Sequence, residues 1–185
     1  MDYRYINHDE LAQIIRTGQA GKTYQVVDVR DEDFRGGNIK GAIRAPSEQR
    51  TDQSVQDLVT RLDSVPQVIF HCTLSQVRGP KAARIYAEAR REKEKQQGVQ
   101  QRDASATPAT GSHEQEEDLE TAKEKARTFA PDPYAAAKAT VADRAQTRQE
   151  VFVLRDGFQN WQGLYRKDAD LVENFDPHVW QEYSP

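Results

Sequence analysis

Five short apolar runs recur along the chain, and between most of them the apolar residues fall three or four positions apart. Tyr3 to Ile6 is a short edge-strand candidate. Asn7 then offers an N-cap oxygen, with Glu10 three residues on to complete a capping box. Leu11, Ile14 and Ile15 space a short helix that ends near Gly18. Tyr24 to Val29 reads as a buried strand, residues 31–37 as a charged loop or single helical turn, and Ile39 to Arg44 as another strand. Ser54 can cap a helix whose Val55, Leu58, Val59 and Leu62 share one face. Val68, Ile69 and Phe70 form the next apolar run, and Ala82, Ala83, Ile85, Tyr86 and Ala89 the buried side of the helix after it. Val151 to Leu154 is the last strand, followed by a turn at Asp156-Gly157 and a helix buried through Phe158, Trp161 and Leu164. The order β-α-β-β-α-β-α-β-α predicts an α/β fold, a central parallel sheet of five strands with helices on both faces.

The pattern breaks in one place. Residues 92–149 are rich in Glu, Lys, Gln and Ala and poor in large apolar side chains. Residues 98–117 have too little apolar surface to offset their ordering entropy and are expected to be disordered. Residues 118–127 and 135–149 have helical propensity, while 129–134, with two prolines, are expected to touch the domain. The domain then spans 1–166 around an insert at 92–149, and 167–185 is a polar tail with Phe175, Val179 and Trp180 as anchors. A surface insertion costs little, because loop-closure entropy grows slowly with length.

Composition narrows the setting. The chain has 185 residues, enough for one ordinary domain, and its 36% hydrophobic content is held down by the insert. Net charge is −4, so there is no general electrostatic case for nucleic acid, and any attraction for phosphate must be local. No apolar run approaches a membrane span, and the first ten residues are too polar for a secretory signal. One cysteine excludes an intrachain disulfide and a cysteine-rich zinc site, and fits a reducing compartment, cytoplasmic or nuclear. His113 has no metal partner beside it, and no bound metal or cofactor is expected.

That cysteine, Cys72, sits where chemistry is expected. HCTLSQVRGP runs from a strand into a helix, with five residues between Cys72 and Arg78. Pro80 suits the first turn of a helix, where no N–H is needed. Thr73, Leu74, Ser75, Gln76 and Val77 would wrap a turn whose backbone N–H groups face an anion at the helix N-terminus. Arg78 adds a planar fork of donors suited to a tetrahedral oxyanion. The same field stabilises a thiolate, so Cys72 and Arg78 are the candidate catalytic pair. His71, Asp28 and Arg30 stand at neighbouring strand ends. Asp28 and Arg30 can be read as an acid and an anion ligand, or as a pair that braces the loop.

Three stretches resemble one family. HCTLSQVRGP is similar to the active-site loop of rhodanese-fold dual-specificity phosphatases of the cell-division-cycle inducer type, and of the related small fungal and plant arsenate reductases. VVDVRDEDFRGGNIKGAIRAP (residues 26–46) resembles the Asp-x-Arg and Gly-x-Ile-x-Gly-Ala segment of rhodanese domains, and VFVLRDGFQNWQ (151–162) their closing strand and Trp-bearing helix. The resemblance implies a rhodanese-like fold, favours bracing for Asp28 and Arg30, and allows three reactions at Cys72. Sulfur transfer is disfavoured, because sulfurtransferases of this fold typically have a shorter loop without the closing arginine. A phosphatase would pass through a phosphocysteine on a phosphoprotein or other phosphate substrate. An arsenate reductase would form a cysteine–arsenate adduct and, with one cysteine in the chain, need external glutathione and a glutaredoxin. A non-catalytic phosphate-binding module is the remaining alternative. The inducer-type phosphatases carry carboxylates where this chain has Thr73 and Val77. Asp31, Asp33 and Asp156 are therefore the outside candidates for a general acid.

Overall fold

The computed structural model describes residues 3–104 and 148–181. Contacts divide the chain into two compact units, Met1–Gln96 with Arg148–Pro185, and Gln97–Thr147. The first holds the sheet. In chain order its elements are β1 (Arg4–Ile6), α1 (His8–Thr17), β2 (Tyr24–Asp28), β3 (Asn38–Ile39), β4 (Ile43–Arg44), a 3-10 turn (Ser47–Gln49), α2 (Asp52–Arg61), β5 (Gln67–His71), α3 (Arg78–Ala104), β6 (Glu150–Leu154), α4 (Gly157–Tyr165), β7 (Val172–Glu173) and α5 (Pro177–Trp180).

Five strands pair in the order β1-β6-β5-β2-β4, all parallel. Side-chain alternation divides the core in two, because successive residues of a strand face opposite sides. Val26, Ile69, Phe152 and Leu154 pack with Leu11 and Ile15 of α1 and with Phe158 and Trp161 of α4. Val27, Val68, Phe70, Val151 and Val153 pack on the other face with Val55 and Val59 of α2 and with Ala82, Ala83 and Tyr86 of α3. The fold is α/β and rhodanese-like, with helices on both faces of the sheet.

Several expectations are corrected in detail. Residues 39–44 are not one strand: Asn38–Ile39 pairs antiparallel with β7, and only Ile43–Arg44 joins the main sheet. Gly41, at φ +69, turns the chain between them. Helix α2 is capped by Thr51, whose side chain accepts from the Ser54 N–H at 3.1 Å, while Ser54 Oγ accepts from the Thr51 N–H at 2.9 Å. Leu164 is 58% exposed, and Tyr165 packs against the core instead.

Residues 167–181 are held to the domain by the expected anchors, with Phe175 and Val179 packed against the core and Trp180 within it, and by more besides. Leu171, Val172 and Trp180 are buried, and the Trp180 indole N–H donates to the Gly36 carbonyl at 2.8 Å. Residues 98–104, expected to be disordered, continue α3. Gln100, Gln101, Arg102 and Ala104 are good helix formers, and the one glycine, Gly98, costs only about 1 kcal/mol. The expectations for 105–147, His113 included, lie outside the described residues.

Candidate active site

Strand β5 runs through the middle of the sheet, between β6 and β2, and delivers Cys72 at its carboxyl end. Open parallel sheets bind ligands at that edge. Residues 73–77 form the loop, and α3 begins at Arg78. Cys72 is buried at 4% exposure. Its Sγ accepts the Ser75 N–H at 3.2 Å, and the Cys72 N–H donates to Ser75 Oγ at 3.4 Å. Ser75 makes this double contact at φ +53, a left-handed conformation that costs a non-glycine residue about 1–2 kcal/mol. The strain is retained where the loop wraps the sulfur. Among the described residues, the N–H groups of Thr73, Leu74, Gln76, Val77 and Arg78 donate to no protein acceptor. Leu74 and Val77 are exposed on the rim.

Helix α4 fixes the loop from the other side. The Phe158 N–H donates to the Cys72 carbonyl at 2.9 Å, and the Gln159 N–H to the Thr73 carbonyl at 3.0 Å. The first turn of α4 thus spends its free donors on the two carbonyls that open the loop. Gly157, at φ +58, brings it that close.

Arg78 closes the loop and meets two carboxylates. Its Nη1 donates to Asp31 Oδ2 at 3.0 Å and to Asp33 Oδ1 at 2.8 Å, and its Nη2 donates to Asp33 Oδ2. Thr73 Oγ1 also donates to Asp33 Oδ2. One carboxylate therefore links the first and last residues of the loop. Hydrogen bonds from Arg78 hold the Asp33 carboxyl far below the usual carboxylate range and raise Arg78 further. Asp31 is desolvated, yet lies low because Ser47 Oγ (2.5 Å), the Glu48 N–H (2.9 Å) and Arg78 all donate to it.

Behind the loop, Asp28 and Arg30 are fully buried as a pair. Arg30 Nη2 reaches Asp28 Oδ2 at 2.6 Å, and Nε reaches both carboxylate oxygens at 2.9–3.0 Å. The Arg30 guanidinium lies between the Phe34 and Phe158 rings, 4.7 and 4.2 Å from their centroids, and donates to the Gly37 carbonyl at 2.8 Å. Asp28 and Arg30 thus tie the ends of β2 and β5 to residues 31–37, the segment that carries Asp31 and Asp33. His71 is fully buried, with Nε2 3.5 Å from Asp28 Oδ2 and Nδ1 3.3 Å from the Cys72 carbonyl. Burial pushes its pKa down, more than the neighbouring Asp28 raises it.

The structure therefore gathers Cys72, Ser75, Arg78, Asp31 and Asp33 at one edge, with His71, Asp28 and Arg30 beneath. Asp156 is exposed at the start of α4, where its side chain makes no cap bond. A cavity of about 490 Å³ opens beside Asp33 and Thr73, walled by Arg35, Gln159, His178 and Trp180. The contribution of α5 to this cavity could not be read from local sequence. Among the described residues no group of His, Cys, Asp and Glu side chains is placed to hold a metal, and no helix is long and apolar enough to cross a membrane.

No family model matches the chain. It is 47% identical over 66 residues to a dual specificity phosphatase, ibp1, of Schizosaccharomyces pombe, across 34% of this chain and 45% of that protein. The chain thus spans less than half the length of that relative. It is 26% identical over 190 residues to the CDC25-like phosphatase YCH1 of Saccharomyces cerevisiae, across 96% and 94% of the two chains. It is also 41% identical over 69 residues to arsenical-resistance protein 2 of the same yeast, across 34% and 53%. The solved structure of Ygr203w, a yeast protein tyrosine phosphatase of the rhodanese family, superposes with a TM-score of 0.60 at 22% identity over 98% of this chain and 99% of that one. The resemblance carried by the three sequence stretches is thus matched by homologues named phosphatases and one named for arsenical resistance, on a rhodanese-like fold.

Proposed function

We propose that this chain is a cysteine-dependent phosphatase of the tyrosine or dual-specificity type. The observation that carries the reading is the loop from Cys72 to Arg78: a sulfur at a strand end, unspent N–H donors after it, and a guanidinium that closes the turn at a helix N-terminus. In this reading Cys72 Sγ attacks phosphorus in line. The loop N–H groups and Arg78 hold the equatorial oxygens, whose charge grows in the transition state. A phosphocysteine forms as the ester oxygen leaves, and water then hydrolyses it. The names of the relatives support a phosphoprotein substrate class, and the exposed Leu74 and Val77 give the rim apolar contact for it. The single cysteine supports a reducing compartment, cytosol or nucleus, as part of the same proposal.

The second reading is arsenate reduction on the same loop. It is favoured by the relative named for arsenical resistance and by the absence of loop carboxylates at Thr73 and Val77. Cys72 would attack arsenate, and a second thiol from glutathione would reduce the adduct, with a glutaredoxin restoring Cys72. Release of phosphate and formation of arsenite should be measured on one preparation, with and without glutathione and glutaredoxin. Phosphate release that ignores thiols supports the first reading; thiol-dependent arsenite without phosphate release replaces it with the second.

A further inference from the structure

The resting site holds its arginine against two carboxylates rather than free for an anion. Asp33 grips Arg78 through both terminal nitrogens, Asp31 grips Nη1, and Thr73 Oγ1 adds a third donor to Asp33. Asp31 is further anchored by Ser47 and the Glu48 N–H. Asp33 has a different setting: besides the Asp31 N–H at 2.9 Å, its partners are the loop itself. A dianion entering this loop adds its charge to the Cys72 sulfur and to both carboxylates, against one guanidinium. Like charges this close cannot all stay ionised. The carboxylate with the fewer anchors outside the loop is the one to yield. The 490 Å³ cavity on its far side has room for what is attached to the anion.

Resting on the phosphatase reading, we propose that Asp33 is the general acid of this site. The bound oxyanion displaces its carboxylate from Arg78, it takes a proton from solvent, and it delivers that proton to the oxygen of a leaving group seated in the Asp33–Thr73–Gln159–Trp180 cavity. The step balances. Cys72 Sγ forms the S–P bond with its electron pair, the P–O bond breaks toward the leaving oxygen, and that oxygen receives the Asp33 proton. In the second half, Asp33 takes a proton from the attacking water, the new P–O bond forms, and the S–P bond returns its pair to sulfur. The titratable and charged groups around Asp33 are Arg78 at the head of α3, Cys72 at the end of β5, Asp31, Glu32 and Arg35 on its own segment, and His178 of α5.

The test uses the full chain. Sulfate, which stays dianionic across the neutral range, is titrated calorimetrically into the Cys72→Ser protein at pH 6 in buffers of different ionisation enthalpy. Binding should take up about one proton, and Cys72→Ser,Asp33→Asn should bind sulfate more tightly without that uptake. Cys72→Ser,Asp31→Asn should keep it. In turnover, Asp33→Asn should lower kcat on phenyl phosphate at least about a hundred-fold, far less on p-nitrophenyl phosphate, and lose the alkaline fall of the kcat profile. Weaker sulfate binding with unchanged proton uptake, or an equal loss on both esters, would make Asp33 only a clamp on Arg78 and overturn the proposal. If no aryl phosphate turns over in the unmodified protein, the phosphatase reading fails and takes the proton-donor step with it. Calorimetry then still decides whether Asp33 is displaced.

Discussion

A Cβ atom placed on Gly157 would stand 2.4 Å from the Cys72 carbonyl oxygen and 2.5 Å from that of Thr73. Both neighbours are backbone, so neither can swing aside, and the φ of +58 is itself a conformation that side chains avoid. The closeness is what lets the Phe158 and Gln159 N–H groups reach those two carbonyls. Gly157→Ala should therefore disturb the loop as well as the helix. We expect at least about 1–3 kcal/mol loss of stability from backbone strain and a fall in kcat/KM of more than ten-fold, read by urea melts and aryl phosphate kinetics. Full activity in this variant would mean that α4 does not set the loop.

Arg78→Lys keeps the charge and loses the fork. Lysine has no planar fork with which to hold both oxygens of Asp33 at rest or to present two parallel donors to an anion that takes their place. A drop of at least ten-fold in kcat/KM, about 1.4 kcal/mol on the transition-state scale, is expected, with little change in melting temperature. Unchanged kinetics would place Arg78 outside the reaction.

Cys72→Ser replaces one small buried side chain by another at a position packed among Val29, Phe70 and Ala82. It should abolish turnover, because a hydroxyl in this loop lacks the thiolate chemistry, and should leave circular dichroism and melting nearly unchanged. Residual turnover close to that of the unmodified protein would remove Cys72 as nucleophile.

The strand ends were legible because their cause is local. Unbroken apolar runs such as Val26-Val27 and Val68-Ile69-Phe70, taken in turn with helical stretches along the chain, predicted a parallel sheet covered on both faces, and HCTLSQVRGP placed Cys72 and Arg78 at its edge. What escaped depends on partners far along the chain. Trp180 was legible as an anchor of the tail, but not that it covers Gly36 across 144 residues, and Glu173 pairs with Asn38 across 135, so the rest of residues 167–181 read only as a polar tail. Thr51 and Ser54 are both good caps, and only the geometry separates them. Asp33 was legible as a candidate acid, yet its grip on Thr73 and Arg78 spans 40 and 45 residues and no local pattern encodes it.

The Asp28–Arg30 pair has no exposure, so removing one partner leaves the other charge buried and alone. Asp28→Ala should cost about 3–5 kcal/mol in urea unfolding. Asp28→Ala combined with Arg30→Met should recover much of that, since the methionine can still pack between Phe34 and Phe158. A single variant as stable as the unmodified protein would show that the Arg30 stacking on those rings, rather than the ion pair, holds this corner.

His71 makes stability depend on pH near neutrality. Its ring is fully buried, its Nε2 has no hydrogen-bond partner among the described residues, and burial lowers its pKa below the unfolded value near 6.5. Between the two values the unfolded chain binds the proton and the folded chain does not. Stability is then fully present above about pH 6.5 and falls as pH drops through and below it. Asp28, at 3.5 Å, pulls the other way but is the smaller influence. Asp31 and Asp33 add a separate loss at lower pH, since their folded pKa values lie below the unfolded range near 3.9: the stability they contribute is present above that range and disappears as they protonate. Urea midpoints measured every half unit from pH 8 to 5 should be flat at first and then decline, and His71→Gln should flatten the decline. Midpoints that instead rise on acidification would mean that His71 takes up a proton toward Asp28 in the folded state, reversing the sign of the linkage.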